Sequence, residues 1–256
     1  MKKVWFMLIA LGVLSFASYI FEAKAGDTVV VLPNHTGWYD AIGYYRVSGE
    51  VENSRNNAVK DVWITVNFYD SSGNMIGTAY NHAYLHVLLP GRKSPFEVLL
   101  TTAAASRVHH YSLNVVATDT DPVPEGLEIL SSSSHIEISG DLVVTGSIKN
   151  IAQNTAHSVK VVAAFYNATG YVVATSYAYL SSQDLGSNEI ESFQIVLSSS
   201  TGRVQLVSSY SLTAESLEYS VVPEFPSAAS LSAVLMVSLF TAAITTFNRR
   251  AQIKGI

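Results

Sequence analysis

Two stretches of this 256-residue chain are versions of one another, and that duplication limits the folds open to it more than any other feature. Residues 47–100 contain VSGEVEN followed by VNFYDSSG; residues 144–197 contain VTGSIKN followed by AAFYNATG. They align without a gap at a constant offset of about 97 residues. Gly49 falls on Gly146, Asn53 on Asn150, Asn57 on Asn154, Phe68-Tyr69 on Phe165-Tyr166, Gly73 on Gly170 and Phe96 on Phe193. A copy of about 95 residues suits one domain rather than one solenoid unit.

The pattern inside each copy is that of β-structure. Val62, Ile64, Val66 and Phe68 alternate with Trp63, Thr65, Asn67 and Tyr69; Val159, Val161, Ala163 and Phe165 repeat the period of two. Such alternation describes a strand with one buried face. Asp70-Ser-Ser-Gly73 and Asn167-Ala-Thr-Gly170 then break it. Asp and Asn bond to the backbone two residues on and Gly accepts positive φ, so both are hairpin turns. Returning strands are expected over residues 75–85 and 172–180. Leu89-Pro90-Gly91 punctuates the chain before Phe96, Val98 and Leu100 alternate again. Short strands with regular turn signals point to an all-β fold of two tandem sandwich domains.

The same residues carry a family resemblance. Gly49, Asn53, Phe68, Tyr69, Asp70, Gly73, Pro90, Gly91 and Phe96 follow the pattern of an FxLyD domain: a V-x-G-x-V-x-N strand, a Y-D-x-x-G hairpin, and a Pro-Gly turn before an F-x-hydrophobic strand. Copy two departs at Asn167 and at Ser187-Asn188. The resemblance spans most of residues 40–219 and implies an immunoglobulin-like β-sandwich in an extracytoplasmic prokaryotic protein. That family brings no established active site, so no functional residue carries over.

The flanks place the chain. Residues 1–25 read as a signal peptide, a helix in its apolar run, with Lys2-Lys3, then residues 4–20, then an Ala23-x-Ala25 cleavage site. Domain one is expected over 26–118 and domain two over 127–220, with a Pro-containing linker, 119–126, between them. Asp119, Asp121 and Glu125 in that linker suit either a solvated acidic turn or an inter-domain calcium site. The run Ser131 to Ser134 is too polar for a central strand and reads as a loop. Asn34-His-Thr36 and Asn167-Ala-Thr169 are glycosylation triplets in expected loops. Residues 227–247 are uncharged and close to the 20 needed to span a bilayer as a helix. Arg249, Arg250 and Lys254 in the tail, 248–256, make that end cytoplasmic and put both domains on the extracellular face of the cell membrane. Pro223-Glu224-Phe225-Pro226, within residues 221–226, followed by a span and a basic end, resembles the PEF-CTERM sorting tails of archaeal surface proteins. That resemblance implies an archaeosortase-like processing enzyme as a partner.

Chemistry is sparse. There is no cysteine, so neither disulfides nor thiolate metal sites exist, and a net charge of -5 without a basic stripe argues against nucleic acid. No G-x-S-x-G, P-loop or dinucleotide fingerprint occurs. His82 and His86 lie about 13 Å apart on an extended strand and cannot share an ion. No cofactor, metal or catalytic residue is expected. The one candidate ligand face is aromatic: Tyr80, His82, Tyr84 and His86 on one side of the returning strand, with Trp63 and Tyr69 beside them. Such a face stacks on sugar rings or on another protein, or merely braces the sheet. The sequence thus favours a non-enzymatic structural or adhesive envelope protein, with envelope glycan or S-layer protein as partner. A surface receptor presenting a glycan, small ligand or metal to a membrane partner is the alternative, and an enzyme with a loop-built metal site ranks third.

Overall fold

The computed structural model describes residues 28–182 and 184–223. The expected signal peptide, Glu224-Phe225-Pro226, the expected span and the basic tail lie outside them. Among the described residues no helix is long and apolar enough to cross a membrane. The fold is all-β.

Copy one contains β1 (Val29–Val31), β2 (Thr36–Tyr39), β3 (Tyr45–Asn53), β4 (Val59–Tyr69), β5 (Met75–His82), β6 (Val87–Leu88), β7 (Lys93–Leu100) and β8 (His110–Asp119). One sheet pairs β3 with β1, β2 and β7; the other pairs β4 with β5, β6 and β8. Their facing sides enclose Val47, Val51, Ile64, Val66, Phe68, Phe96 and Val98, each fully buried. Burying each such side chain contributes about 1.5–3 kcal/mol.

Copy two contains β9 (Glu125–Ile136), β10 (Leu142–Asn150), β11 (Ala156–His157), β12 (Lys160–Tyr166), β13 (Val172–Tyr179), β14 (Asp184–Leu185), β15 (Ile190–Leu197), β16 (Ser209–Glu215) and β17 (Ser220–Val221). Its two layers, β13-β12-β16 and β9-β10-β15, enclose Val144, Ile148, Val161, Phe165 and Ile195. Short β17 pairs with β16 on one side and, in parallel, with the start of β9 on the other, so the two layers are one rolled sheet.

The repeated residues have repeated jobs. Gly49 lies opposite Phe96 and Gly146 opposite Phe193. A Cβ at Gly49 would meet the Phe96 ring at 2.8 Å, and one at Gly146 would meet the Phe193 ring at 2.4 Å. The glycine is therefore the seat of the core phenylalanine. Asn53 and Asn150 are wholly buried. Asn53 Nδ2 donates to the carbonyls of Asn57 and Leu88, both at 2.8 Å, while Oδ1 accepts from the Arg55 amide at 3.0 Å. Asn150 makes the matching bonds to Asn154, Leu185 and Ala152 at 2.8, 2.8 and 2.9 Å. In both hairpins Gly73 and Gly170 sit at φ 81°, and Asp70 or Asn167 accepts backbone amides of the turn.

The copies do not stand apart. The outer side of β3-β7 lies against the outer side of β13-β12-β16, giving four stacked layers. Val162 of copy two is fully buried within the core cluster of copy one. Glu50, 4 % exposed, accepts from the Tyr166 hydroxyl at 2.8 Å and from Asn34 Nδ2 at 2.8 Å. Lys160 bonds Glu215 at 2.7 Å and donates to the Tyr84 carbonyl, while Glu215 also accepts the His86 amide at 2.7 Å. Trp38 of copy one carries the guanidinium of its own Arg46 at 5.7 Å and that of Arg203 from copy two at 5.0 Å.

Two expectations change. The run Ser131 to Ser134 is not a loop but the middle of β9. It is polar because it forms an exposed edge: Ser131 and Ser133 share hydrogen bonds with Ser147 and Thr145 rather than with solvent alone. The acidic junction is exposed, with Asp119, Asp121 and Glu125 all in contact with solvent, and two of its carboxylates are also paired. Asp119 ends β8 and is held by Arg55 at 2.8 Å; Glu125 opens β9 and is held by Arg92 at 2.8 Å. Only residues 120–124 lie between the strands. Finally, β5 stops at His82 instead of running to residue 85.

Candidate functional site

The exposed side of β5-β4-β8 gathers most of the residues singled out from sequence. Cross-strand register sets four rows: Val116-Trp63-His82, Asn114-Thr65-Tyr80, Ser112-Asn67-Thr78 and His110-Tyr69-Met75. Period-two alternation forces this, because the opposite residues of β4 fill the core. Trp63 lies against His82 with ring centroids 3.4 Å apart and planes tilted by 37°, and meets Tyr80 edge-on at 5.5 Å. Tyr80 is 67 % exposed. Tyr69 lies flat on His110, 4.9 Å away with planes 7° apart. Six residues of strand separate Trp63 from Tyr69, so the two aromatic groups lie about 20 Å apart. Between them is a polar strip in which Thr78 donates to Asn67 at 2.9 Å.

Tyr84 and His86 do not belong to this face. After Ala83 donates its last amide bond to Val62, the chain crosses to the neighbouring layer, where the Tyr84 amide bonds Pro95. Tyr84 ends between the copies, with its hydroxyl 3.2 Å from Thr175 Oγ1 and its ring 5.2 Å from Tyr177. Burial, assisted by Glu97, pushes its phenol above the usual tyrosine range. His86 lies beyond the end of β5, exposed, with its backbone amide on Glu215. The face instead gains His110, Met75 and Val116, brought in by pairing of β4 with β8 and of Met75 with Tyr69. The alternation from His110 to Val116 was the available signal for it.

The two glycosylation triplets differ. Asn34 Nδ2 is committed to Glu50, its carbonyl accepts the Val172 amide, and Thr36 Oγ1 donates to the Val172 carbonyl. The triplet is thus inside the junction. Asn167 uses only its Oδ1, accepting from Thr169 and Tyr171 at an exposed hairpin tip.

Chemistry elsewhere is thin. The half-exposed His157 holds Glu218 through Nδ1 at 2.7 Å, with Asp184 3.8 Å from Nε2. A recess of about 460 Å³ opens at the junction of the copies beside Trp38, Thr175 and Ser200, but its Arg46 is already paired with Asp40 and Glu97. Among the described residues no group of three or more His, Asp or Glu is arranged to hold a metal ion.

No family model matches this chain, and no curated protein matches it. Solved structures that share some of its shape include an Amycolatopsis orientalis exo-chitosanase, 14% identical, covering 78% of this chain and 27% of that one, with a TM-score of 0.28. A β-glucuronidase of glycoside hydrolase family 2 is 12% identical over 72% of this chain and 23% of that one, with a TM-score of 0.27. Red sea bream transglutaminase is 9% identical over 77% and 31%, with a TM-score of 0.24. The chain spans about a quarter to a third of the length of these proteins. Their TM-scores are too low for any inference about activity.

Proposed function

We propose that this chain is a non-enzymatic structural or adhesive module of a cell envelope: two immunoglobulin-like sandwiches of the FxLyD kind, held at the outer membrane face by residues 227–247. The observation that carries this reading is the exposed β5-β4-β8 face, whose twelve positions bear aromatic rings, hydroxyls and amides and no charged side chain. The module makes its contacts through that face, while the buried junction keeps the two copies in a fixed relation. Protease treatment of intact cells tests the placement: the described portion is degraded while a cytoplasmic marker survives. Retention on isolated envelopes of the portion without residues 227–247, residues 28–223, tests the face. Trp63→Ala with Tyr80→Ala abolishes retention without lowering the melting temperature; undiminished retention refutes the contact role.

The second reading, a receptor for an envelope glycan, is favoured by one feature, the Trp63-Tyr80-His82 cluster. Exposed aromatic planes next to hydroxyls suit sugar rings. A glycan array probed with the purified chain separates it from purely protein-mediated adhesion.

A further inference from the structure

Within the chain, the outer side of β3-β7 in copy one is docked on the outer side of β13-β12-β16 in copy two. By the repeat, copy two presents an unused equivalent of the first surface, β10-β15 with β9, and copy one an unused equivalent of the second, β5-β4-β8. The two surfaces that already fit each other are therefore both present a second time, facing outward at opposite ends of the stack.

The substitutions between copies are systematic. Five of the charged groups at the internal junction lie on the paired strands: Arg46, Glu50, Glu97, Lys160 and Glu215. The alignment and the strand registers replace them with Val143, Ser147, Gln194, Trp63 and Val116. At these five positions every charge is lost, while Lys149 and Glu128 remain at the far end of the β9-β10 surface; hydrogen-bonding capacity is kept where Glu50 meets Tyr166, since Ser147 would face Tyr69. Bulk also changes sides. Tyr84 of copy one packs beside Lys160 and Tyr177; their counterparts are Ser181 on one surface and Trp63 with Tyr80 on the other. Solvent-facing sheet surfaces normally carry charge, which prevents association. In the twelve positions of the β5-β4-β8 face there is no Asp, Glu, Lys or Arg. Met75, Val116 and Tyr80 there, and Ile190 and Val196 on the opposite surface, are 42–67 % exposed.

We propose that the partner of this face is a second copy of the chain, bound head to tail: β5-β4-β8 of one molecule docks on β9-β10-β15 of the next, repeating the internal junction. The contact is heterologous, so it leaves the same two surfaces free at the ends and propagates into an open row. This deepens the surface-module reading and rests on its choice of face.

The chain lacks cysteine, which makes site-directed crosslinking clean. Two full-length variants, Asn67→Cys and Ser147→Cys, are purified separately in detergent and treated with a short bis-maleimide, alone and mixed. The mixture gives a crosslinked dimer, and each variant alone stays monomeric. Equal crosslinking in the unmixed samples would mean a symmetric face-to-face contact and overturn the proposal, as would absence of crosslinks in all three. Thr65→Glu with Asn67→Glu removes concentration-dependent association in sedimentation without shifting the melting temperature. A wild-type chain that sediments as a monomer at all concentrations refutes self-docking; if it still binds envelopes through Trp63 and Tyr80, the surface-module reading survives.

Discussion

Replacing Asn53 with alanine removes a side chain whose every polar atom is in use. Three hydrogen bonds are lost, at 2.8, 2.8 and 3.0 Å, and each is worth about 1 kcal/mol net. The Leu88 carbonyl is left without this partner in a site closed to water, which adds about 1 kcal/mol or more. The expected loss is about 3–5 kcal/mol, at the upper end for a single substitution. For a cooperative unit of this size that lowers the melting temperature by roughly 10 °C. Urea unfolding of the purified full chain, followed by tryptophan fluorescence, measures it as a shifted midpoint with unchanged slope. Asn150→Ala has the same three bonds to lose and shows the same cost. Because Val162 of copy two lies in the core of copy one, both variants unfold in one transition rather than two. A loss below about 1 kcal/mol in both variants would refute the idea that this repeated asparagine ties the loop to the strands.

Four further outcomes are expected. Lys160→Met leaves Glu215 buried and unpaired and costs about 3–5 kcal/mol, whereas Lys160→Met with Glu215→Leu recovers most of it in the same unfolding assay. Val162→Asp opens the junction, so limited proteolysis cuts within residues 120–124 at protease levels that leave the wild type whole. Burial, aided by Glu97 at Tyr84 and by Glu50 at Tyr166, raises the phenol pKa of Tyr84, Tyr111 and Tyr166. The folded state then holds these protons more tightly than the unfolded one, so its stability is complete below about pH 10 and drains away above it, which tyrosinate absorbance and melting temperature report together. Peptide mapping of chain from its native membrane finds any glycan on Asn167 and none on Asn34, whose amide nitrogen is bound to Glu50.

What was legible in the sequence was local and repeated. Gly49 with Phe96, the hairpin glycines and the alternation of β4 each state a short-range requirement, and stating it twice made it readable. The crossing of the chain after His82 was not legible. Tyr80, His82, Tyr84 and His86 keep a period of two in the sequence, but alternation does not report which sheet a strand belongs to. The serines of β9 mislead for a related reason: polarity marks exposure, and an edge strand is exposed without being a loop. The arginines that neutralise Asp119 and Glu125 lie 64 and 33 residues away, beyond any spacing rule. The junction itself left a trace. Thr65 and Asn67 in copy one become Val162 and Ala164 in copy two, apolar residues on what should be a wet face. Comparing the copies position by position for that change points to the covered sheet.

The described chain leaves copy two through β17, and that exit lies at the seam. Arg92 of copy one grips the Val221 carbonyl at 2.6 Å, and the Val222 amide is bonded to Leu127 at the very start of β9. Tension applied beyond residue 223 thus enters at the waist of the molecule, where it loads both copies simultaneously and along parallel strands. The short parallel pairing of β17 with β9, the Arg92 bond and the Val222 bond are sheared together there rather than opened one by one as in a hairpin.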